Sequence, residues 1–327
     1  MSNADVIVSQ LGASQGDLPL VISAESTVSS LADSHEKLSA LVDKYLLNCG
    51  GLLFRGFEVG GIDGFHNFVK SFGHPLLSYE FGSTPRSNVA KGIYTSTEYP
   101  AHQTIPLHSE QAYTLSWPMK IWFYCITSAQ SGGETPIADN RRIYNAMNPS
   151  IRERFSRHGL MYVRNYGGGL DVAWQKVFNT DDRSVVENYC RQNTIEFEWK
   201  EDGELRTRQR CQAVTQHPRT HDWIWFNQAH LFHVSNLQPE IRETLLDIVG
   251  EENLPRNVYY GDGSPIEDTV LEEIRHVLDQ YKVIFPWQSG DVLMLDNMLA
   301  SHAREPFSGE RKVVVAMAES FQGSSLP

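Results

Sequence analysis

The chain has 327 residues, 41% of them hydrophobic and 21% charged, which is ample for a buried core and ordinary for a globular protein. Its formal net charge of -12 argues against a general binder of nucleic acid or of anionic membranes. No apolar run approaches bilayer-spanning length, no basic start leads into a secretory apolar run, and four cysteines without a Cys-x-x-Cys spacing read as reduced thiols, so a cytoplasmic protein is expected.

Residues 1–17 read as a loose N-terminal lead and residues 18–327 as one domain. Asp33 followed by Glu36 has the pattern of a capping box, and Leu38, Leu41, Val42, Tyr45 and Leu46 form a helical stripe that Gly50-Gly51 stops. Residues 51–57 read as a buried strand. Phe65, Phe68, Val69 and Phe72 form a second helical face, closed by Gly73. Residues 78–106 carry little regular pattern. A long irregular connection inside a domain is usually functional, and this one leads straight into His108, so it is expected to wall a site.

Residues 119–127 are an apolar strand, and Gly132-Gly133 turns the chain into a short strand ending at Asp139. Helices are expected near 140–147 and 149–158, with Pro149 at a favoured first position. Residues 167–222 mix short elements with much of the charge and read as an insertion. Residues 223–227 suggest a strand and 239–249 a helix. Asp268 then caps a helix with Leu271, Ile274, Val277, Leu278 and Tyr281 on one face, and 283–285, 291–296 and 312–318 are further strands. Short, scattered strands with flanking helices fit a mainly β fold, a jelly roll, better than a regular parallel sheet.

Leu107-His108-Ser109-Glu110 is the stretch with chemistry in it. Read as a strand, it points His108 and Glu110 to one face, where an imidazole and a carboxylate make adjacent metal ligands. A distant third ligand would complete two histidines and one carboxylate, the facial set that leaves open positions on Fe(II). His302 is the candidate, expected just beyond the apolar strand 291–296 at the mouth of the barrel. Arg311 heads the strand that follows, where its fork can grip a carboxylate. His230 and His233 suit either further ligands or a hydrogen-bonded wall.

The ordered set Phe54-Arg55-Gly56-Phe57, His108-x-Glu110, Gly132-Gly133-Glu134-Thr135, Asp296-Asn297 through His302-Ala303-Arg304, and Arg311 resembles the taurine-dioxygenase superfamily over roughly residues 50–320. Within it, the set is most similar to the clavaminate-synthase-like and syringomycin-type hydroxylases, whose carboxylate ligand is often Glu. The resemblance implies a single catalytic domain on a distorted double-stranded β-helix. It implies Fe(II) on His108, Glu110 and His302, and 2-oxoglutarate on Arg311 with help from Thr135, with Lys312 as a neighbouring alternative. Dioxygen, 2-oxoglutarate and a substrate C–H would then become succinate, carbon dioxide and an alcohol.

The implied substrate is an amino acid or an amino-acid derivative, free or tethered to a carrier protein, as in secondary-metabolite biosynthesis. Arg86 and Glu98 serve either as its carboxylate and amine contacts or as salt bridges holding the loop. Taurine enzymes carry a second arginine at the position of Val315, so a sulfonate is not expected. With Glu110 present, halogenation is not expected either. Desaturation, epoxidation or ring closure by the same chemistry, a non-enzymatic metal- or ligand-binding module, and a zinc hydrolase are the competing readings.

Overall fold

The computed structural model describes residues 6–11, 18–24, 29–78, 88–90, 92–96 and 99–323. The chain is a mixed α/β protein built from several sheets. The largest has eight strands, in the order Val6–Gln10, Leu20–Ala24, Gly51–Arg55, Val292–Asp296, Ser116–Thr127, Lys312–Gln322, Ile93–Thr95 and Asn88–Ala90. Its pairings are antiparallel except that of Leu20–Ala24 with Gly51–Arg55.

Strict alternation explains why its central strands read as continuous apolar runs. Trp122, Tyr124, Val292, Met294, Val314 and Ala316 face one core, beneath the helices His35–Cys49 and Gly61–Lys70. The residues between them, Ile121, Phe123, Leu293, Leu295, Val313 and Val315, face the other. A sheet buried on both faces needs apolar side chains at every position. The second core also takes in Ile137 and Ala300 from a three-stranded sheet of Ile105–His108, Ala300–Arg304 and Ile137–Asp139. The candidate ligands belong to this smaller sheet and its edge.

A four-stranded sheet of Glu196–Trp199, Leu205–Cys211, Leu160–Tyr166 and Arg256–Tyr260 joins strands from within residues 167–222 to strands on either side of them. Among the described residues no helix is long and apolar enough to cross a membrane. All four cysteines are free and buried.

Several local expectations are corrected. The first helix begins at His35 with Ser34 as N-cap and no side-chain cap bond, so the Asp33–Glu36 capping box does not form. The Ser34 hydroxyl donates to the Ser30 carbonyl instead. Its C-terminus does end as expected, on Gly50 at φ 81°, whose N–H donates to Leu46. Asp268 is the first residue of its helix rather than the cap, and its carboxylate pairs with Arg242. Residues 283–285 contribute one isolated bridge, Ile137 to Val283, not a strand. The strand starting at Trp223 stops at Trp225.

Candidate active site

His302 follows the strand Val292–Asp296 as expected, but within a strand of its own. It is the middle residue of Ala300–Arg304, a strand buried at every position, and the register sets it directly opposite His108. The two imidazoles lie 4.4 Å apart between ring centroids, and Phe123 backs His302 at 4.9 Å. His108 ends its own strand. Its Nδ1–H donates to the Pro106 carbonyl at 2.8 Å, which fixes the tautomer and leaves Nε2 with a lone pair for a metal.

Glu110 is past the end of that strand, in a turn, so two-residue alternation is not what aims it. Side chains from remote elements hold the turn instead. The buried Asn297 accepts from the Glu110 N–H at 2.7 Å and donates from Nδ2 to the carbonyls of Glu110 and Pro118, both at 2.9 Å. Gln228 donates to the Ser109 carbonyl at 2.8 Å, Asn140 to the Ser109 hydroxyl at 3.0 Å, and His230 Nε2 to the Leu107 carbonyl at 2.8 Å.

His230 is therefore a hydrogen-bonding wall, and burial pushes its pKa down to about 3, so it stays a neutral donor. None of Asn140, Gln228 and Asn297 stood out in the sequence as a site residue. Their signal, a buried amide bonded to a backbone or hydroxyl group far away in sequence, exists only in three dimensions.

The outcome is convergence. One ligand atom each from His108, Glu110 and His302 lies within 4.8 Å of the others. Nitrogen and oxygen ligands sit about 2.0–2.2 Å from such an ion, so one ion can draw this set together. Two neutral imidazoles and one carboxylate on one side of the ion suit Fe(II) with open positions.

Beside them lies a pocket shared by His108, His302, Thr135, Arg304 and Arg311. Arg311 Nε donates to the Gly133 carbonyl at 2.8 Å and Nη1 reaches the Ser96 hydroxyl at 3.4 Å. Burial, reinforced by the nearby Arg304 guanidinium, pushes its pKa down to about 10. Among the described residues no carboxylate lies within ion-pair distance of it. Arg304 shares the pocket, but its Nη atoms donate to the carbonyls of Tyr99, Pro100 and Gln103, and only its buried Nε lacks a partner among the described residues, so Arg311 is the guanidinium placed for an anion.

The double glycine makes room for this. A Cβ on Gly133, at φ 74°, would meet Arg311 Cδ at 2.9 Å, and one on Gly132 would meet the Pro306 carbonyl oxygen at 2.1 Å. The Thr135 hydroxyl accepts from Trp287 Nε1 at 3.0 Å, which leaves its own proton to give to a ligand. Val315 is buried in apolar surroundings and offers no second arginine, and Lys312 is exposed. Arg86 and Glu98 lie outside the described residues. On the other side of the ligands a cleft of about 650 Å³ opens, bordered by His108, Glu110, Tyr113, Phe232 and Arg256.

Residues 14–317 match the model of the Taurine catabolism dioxygenase TauD, TfdA family. The chain belongs to that family. It is 45% identical to the dapdiamide synthesis protein DdaC of Enterobacter agglomerans over 85% of this chain and 84% of that one. To a clavaminate synthase-like protein of Arabidopsis thaliana it is 32% identical, over the same shares of each chain. Among solved structures it resembles PvcB of Pseudomonas aeruginosa, described as an Fe, alpha-ketoglutarate dependent oxygenase from an isonitrile synthetic pathway. That likeness has a TM-score of 0.56 and 17% identity, and it covers 100% of this chain and 97% of that one. The chain is thus an Fe(II)- and 2-oxoglutarate-dependent dioxygenase acting on a small molecule, which sets aside the non-enzymatic and zinc-hydrolase readings.

Proposed function

We propose that the chain is a cytoplasmic hydroxylase that oxidises an unactivated C–H of an amino acid or amino-acid-derived molecule, free or carrier-tethered, in specialised metabolism. The catalytic residues would sit on a distorted double-stranded β-helix, with His108, Glu110 and His302 holding iron and with Arg311 and Thr135 holding 2-oxoglutarate. The observation that carries this reading is the placement of a half-buried Arg311, with no carboxylate in ion-pair reach among the described residues, in the same pocket as the two facing histidines. Its support for specialised metabolism is the likeness to a protein of dapdiamide synthesis.

When bound, iron and 2-oxoglutarate together supply the oxidant: one atom of dioxygen leaves in succinate, carbon dioxide is released, and the other atom enters the substrate. The chain's own residues position and exclude. The His108 tautomer, fixed by donation from Nδ1 to the Pro106 carbonyl, leaves Nε2 as its ligand atom. Asn297 presents Glu110 as the anionic ligand by gripping its backbone on both sides. Arg311 meets the distal carboxylate in a water-poor pocket, Thr135 donates to it, and Phe123 shields the His302 ring.

The direct test is a substrate panel incubated with Fe(II), 2-oxoglutarate and oxygen, scored by succinate and by a mass gain of one oxygen atom. A product lighter by two hydrogens would instead assign desaturation or ring closure. Succinate release that no amino-acid-derived compound stimulates would overturn the substrate class.

A further inference from the structure

The helix Pro239–Val249 is fastened by one side. Its Arg242 pairs with Asp268 on the helix Asp268–Gln280, and Leu246 and Val249 are half-buried. None of its residues is fully buried. Ile241 and Ile248 are left 56% and 73% exposed, and Leu237, two residues before the helix, 39%. A residue just before an N-cap often packs against the fourth helical residue. Here that position is Arg242, which turns to Asp268 instead, so helix capping does not account for Leu237.

Leu237 and Ile241 line the cleft of about 650 Å³ that also holds His108 and Glu110, and Ile248 lies outside it. Ile105, Leu231 and Phe232 extend the apolar lining of the same cleft. A lone exposed apolar side chain is ordinary. Two of them in the wall of a reaction cleft gain by being covered, and such a patch marks a place where a ligand sits. The cleft belongs to the candidate iron ligands, so what covers the wall during turnover is the molecule being oxidised. That molecule brings a C–H to the iron, and hydrocarbon next to the reacting carbon suits an apolar wall.

We propose that Leu237 and Ile241 are specificity-determining residues, an apolar wall that takes an aliphatic side chain of the substrate. The inference rests on the amino-acid-derived substrate proposed above and adds that this substrate carries a branched hydrocarbon group. Each methylene moved from water onto the wall tightens binding by up to about fourfold.

The test is calorimetric titration, without oxygen, of the iron- and 2-oxoglutarate-loaded protein. The probes are glycine, alanine, valine, leucine and the polar asparagine, each free and as its N-acetyl derivative. In at least one of the two series affinity should climb about tenfold or more from glycine to leucine, with asparagine well below leucine. In Ile241→Ser and in Leu237→Ser the climb should flatten, while 2-oxoglutarate affinity and the thermal midpoint stay at parental values, because neither side chain is part of the core. Ile248→Ser removes a more exposed isoleucine of the same helix outside the cleft, and it should keep the parental climb.

The proposal is overturned if the probes bind without preference for hydrocarbon, or if the climb persists in both cleft variants. It is overturned equally if Ile248→Ser flattens the climb as much as they do, which would make the whole helix face an interface for a macromolecule. Succinate release on the same probes judges the underlying reading separately. Probes that neither bind nor stimulate succinate would remove the amino-acid-derived substrate, and the wall's side chain with it. Succinate release stimulated equally by glycine, asparagine and leucine would keep that substrate and discard the wall.

Discussion

At the scale of single residues, the proposal leans on two charges, Arg311 and Glu110. Arg311 is a half-buried cation with no carboxylate in reach among the described residues, an arrangement that costs stability until a dianion arrives. Arg311→Ala should weaken 2-oxoglutarate by about 2–5 kcal/mol, or roughly 30- to several-thousand-fold, with little change in iron affinity. Arg311→Lys should recover only part of this. Titration of 2-oxoglutarate into the iron-loaded protein, followed by its charge-transfer band, measures both; parental affinity in the alanine variant would move the cosubstrate elsewhere. Glu110 would be the only anionic ligand, and Asn297 holds the turn through the Glu110 backbone. Glu110→Ala should therefore abolish hydroxylation and lower iron affinity while the thermal midpoint stays near that of the parent. Retained hydroxylation would remove Glu110 from the ligand set.

At the scale of elements, the turn 296–299 is a clamp as well as a connection. Asp296 accepts from the N–H groups of Met298 and Leu299, both at 3.0 Å, and from the buried His217 at 3.2 Å, which fixes the turn that presents Asn297. Asn297→Ala would orphan one N–H and two carbonyls in a dry interior. A loss of about 3 kcal/mol in denaturant unfolding is expected, together with weaker iron binding, although Asn297 touches no metal. An unchanged midpoint would deny the clamp.

The short helix Ala229–Phe232 ends on His233, whose Nδ1 accepts from the Ser235 N–H at 3.1 Å. Burial pushes its pKa down to about 4. Because the folded pKa lies below the unfolded one, the unfolded chain binds more protons between about pH 6.5 and 4. Stability is then full above this window and falls as pH drops through it, by an amount on the order of 3 kcal/mol. His233→Asn should flatten that slope in urea midpoints measured from pH 7 to 4; an equally steep slope would place the linkage in other groups.

The sequence shows some of these elements and hides others for reasons of the same kind. The helices Asn140–Ala146 and Pro149–His158 are legible because Asp139 and Asn148 cap them locally and Pro149 marks a first turn. The strand Ala300–Arg304 is not, since Ala-Ser-His-Ala-Arg contains no β-branched residue and is extended only because strands flank it on both sides. The three candidate ligands and Arg311 were legible as residue types in order. The amides that aim them were not, because their partners are far away in sequence.

At the scale of the whole molecule, the metal-binding turn is braced by protein before any ion arrives. Bonds from His230 and Gln228, from Asn140 and from Asn297 tie residues 107–110 to three separate parts of the chain. Chelation of iron should therefore leave a folded protein, with near-ultraviolet circular dichroism and a cooperative transition preserved. Adding back metal at 100 times its dissociation constant should raise stability by about 2.7 kcal/mol, or roughly 4 °C in midpoint for a chain of this length. Collapse to a non-cooperative state on chelation would contradict the bracing.

The cross-strand pairing of His302 with His108 also sets what kinds of length change this chain can survive. Successive residues of a strand look to opposite sides, so one residue inserted between Asn297 and Ser301 would hand the iron face to a neighbour and turn His302 away from His108. Two inserted residues would restore the parity while displacing the ring by a full pleat. Drift in length is thus filtered here by odd and even steps, whereas exposed turns such as 201–203 carry no such parity. An insertion there should leave metal binding intact, whereas one between the Asn297 clamp and the last histidine should abolish it.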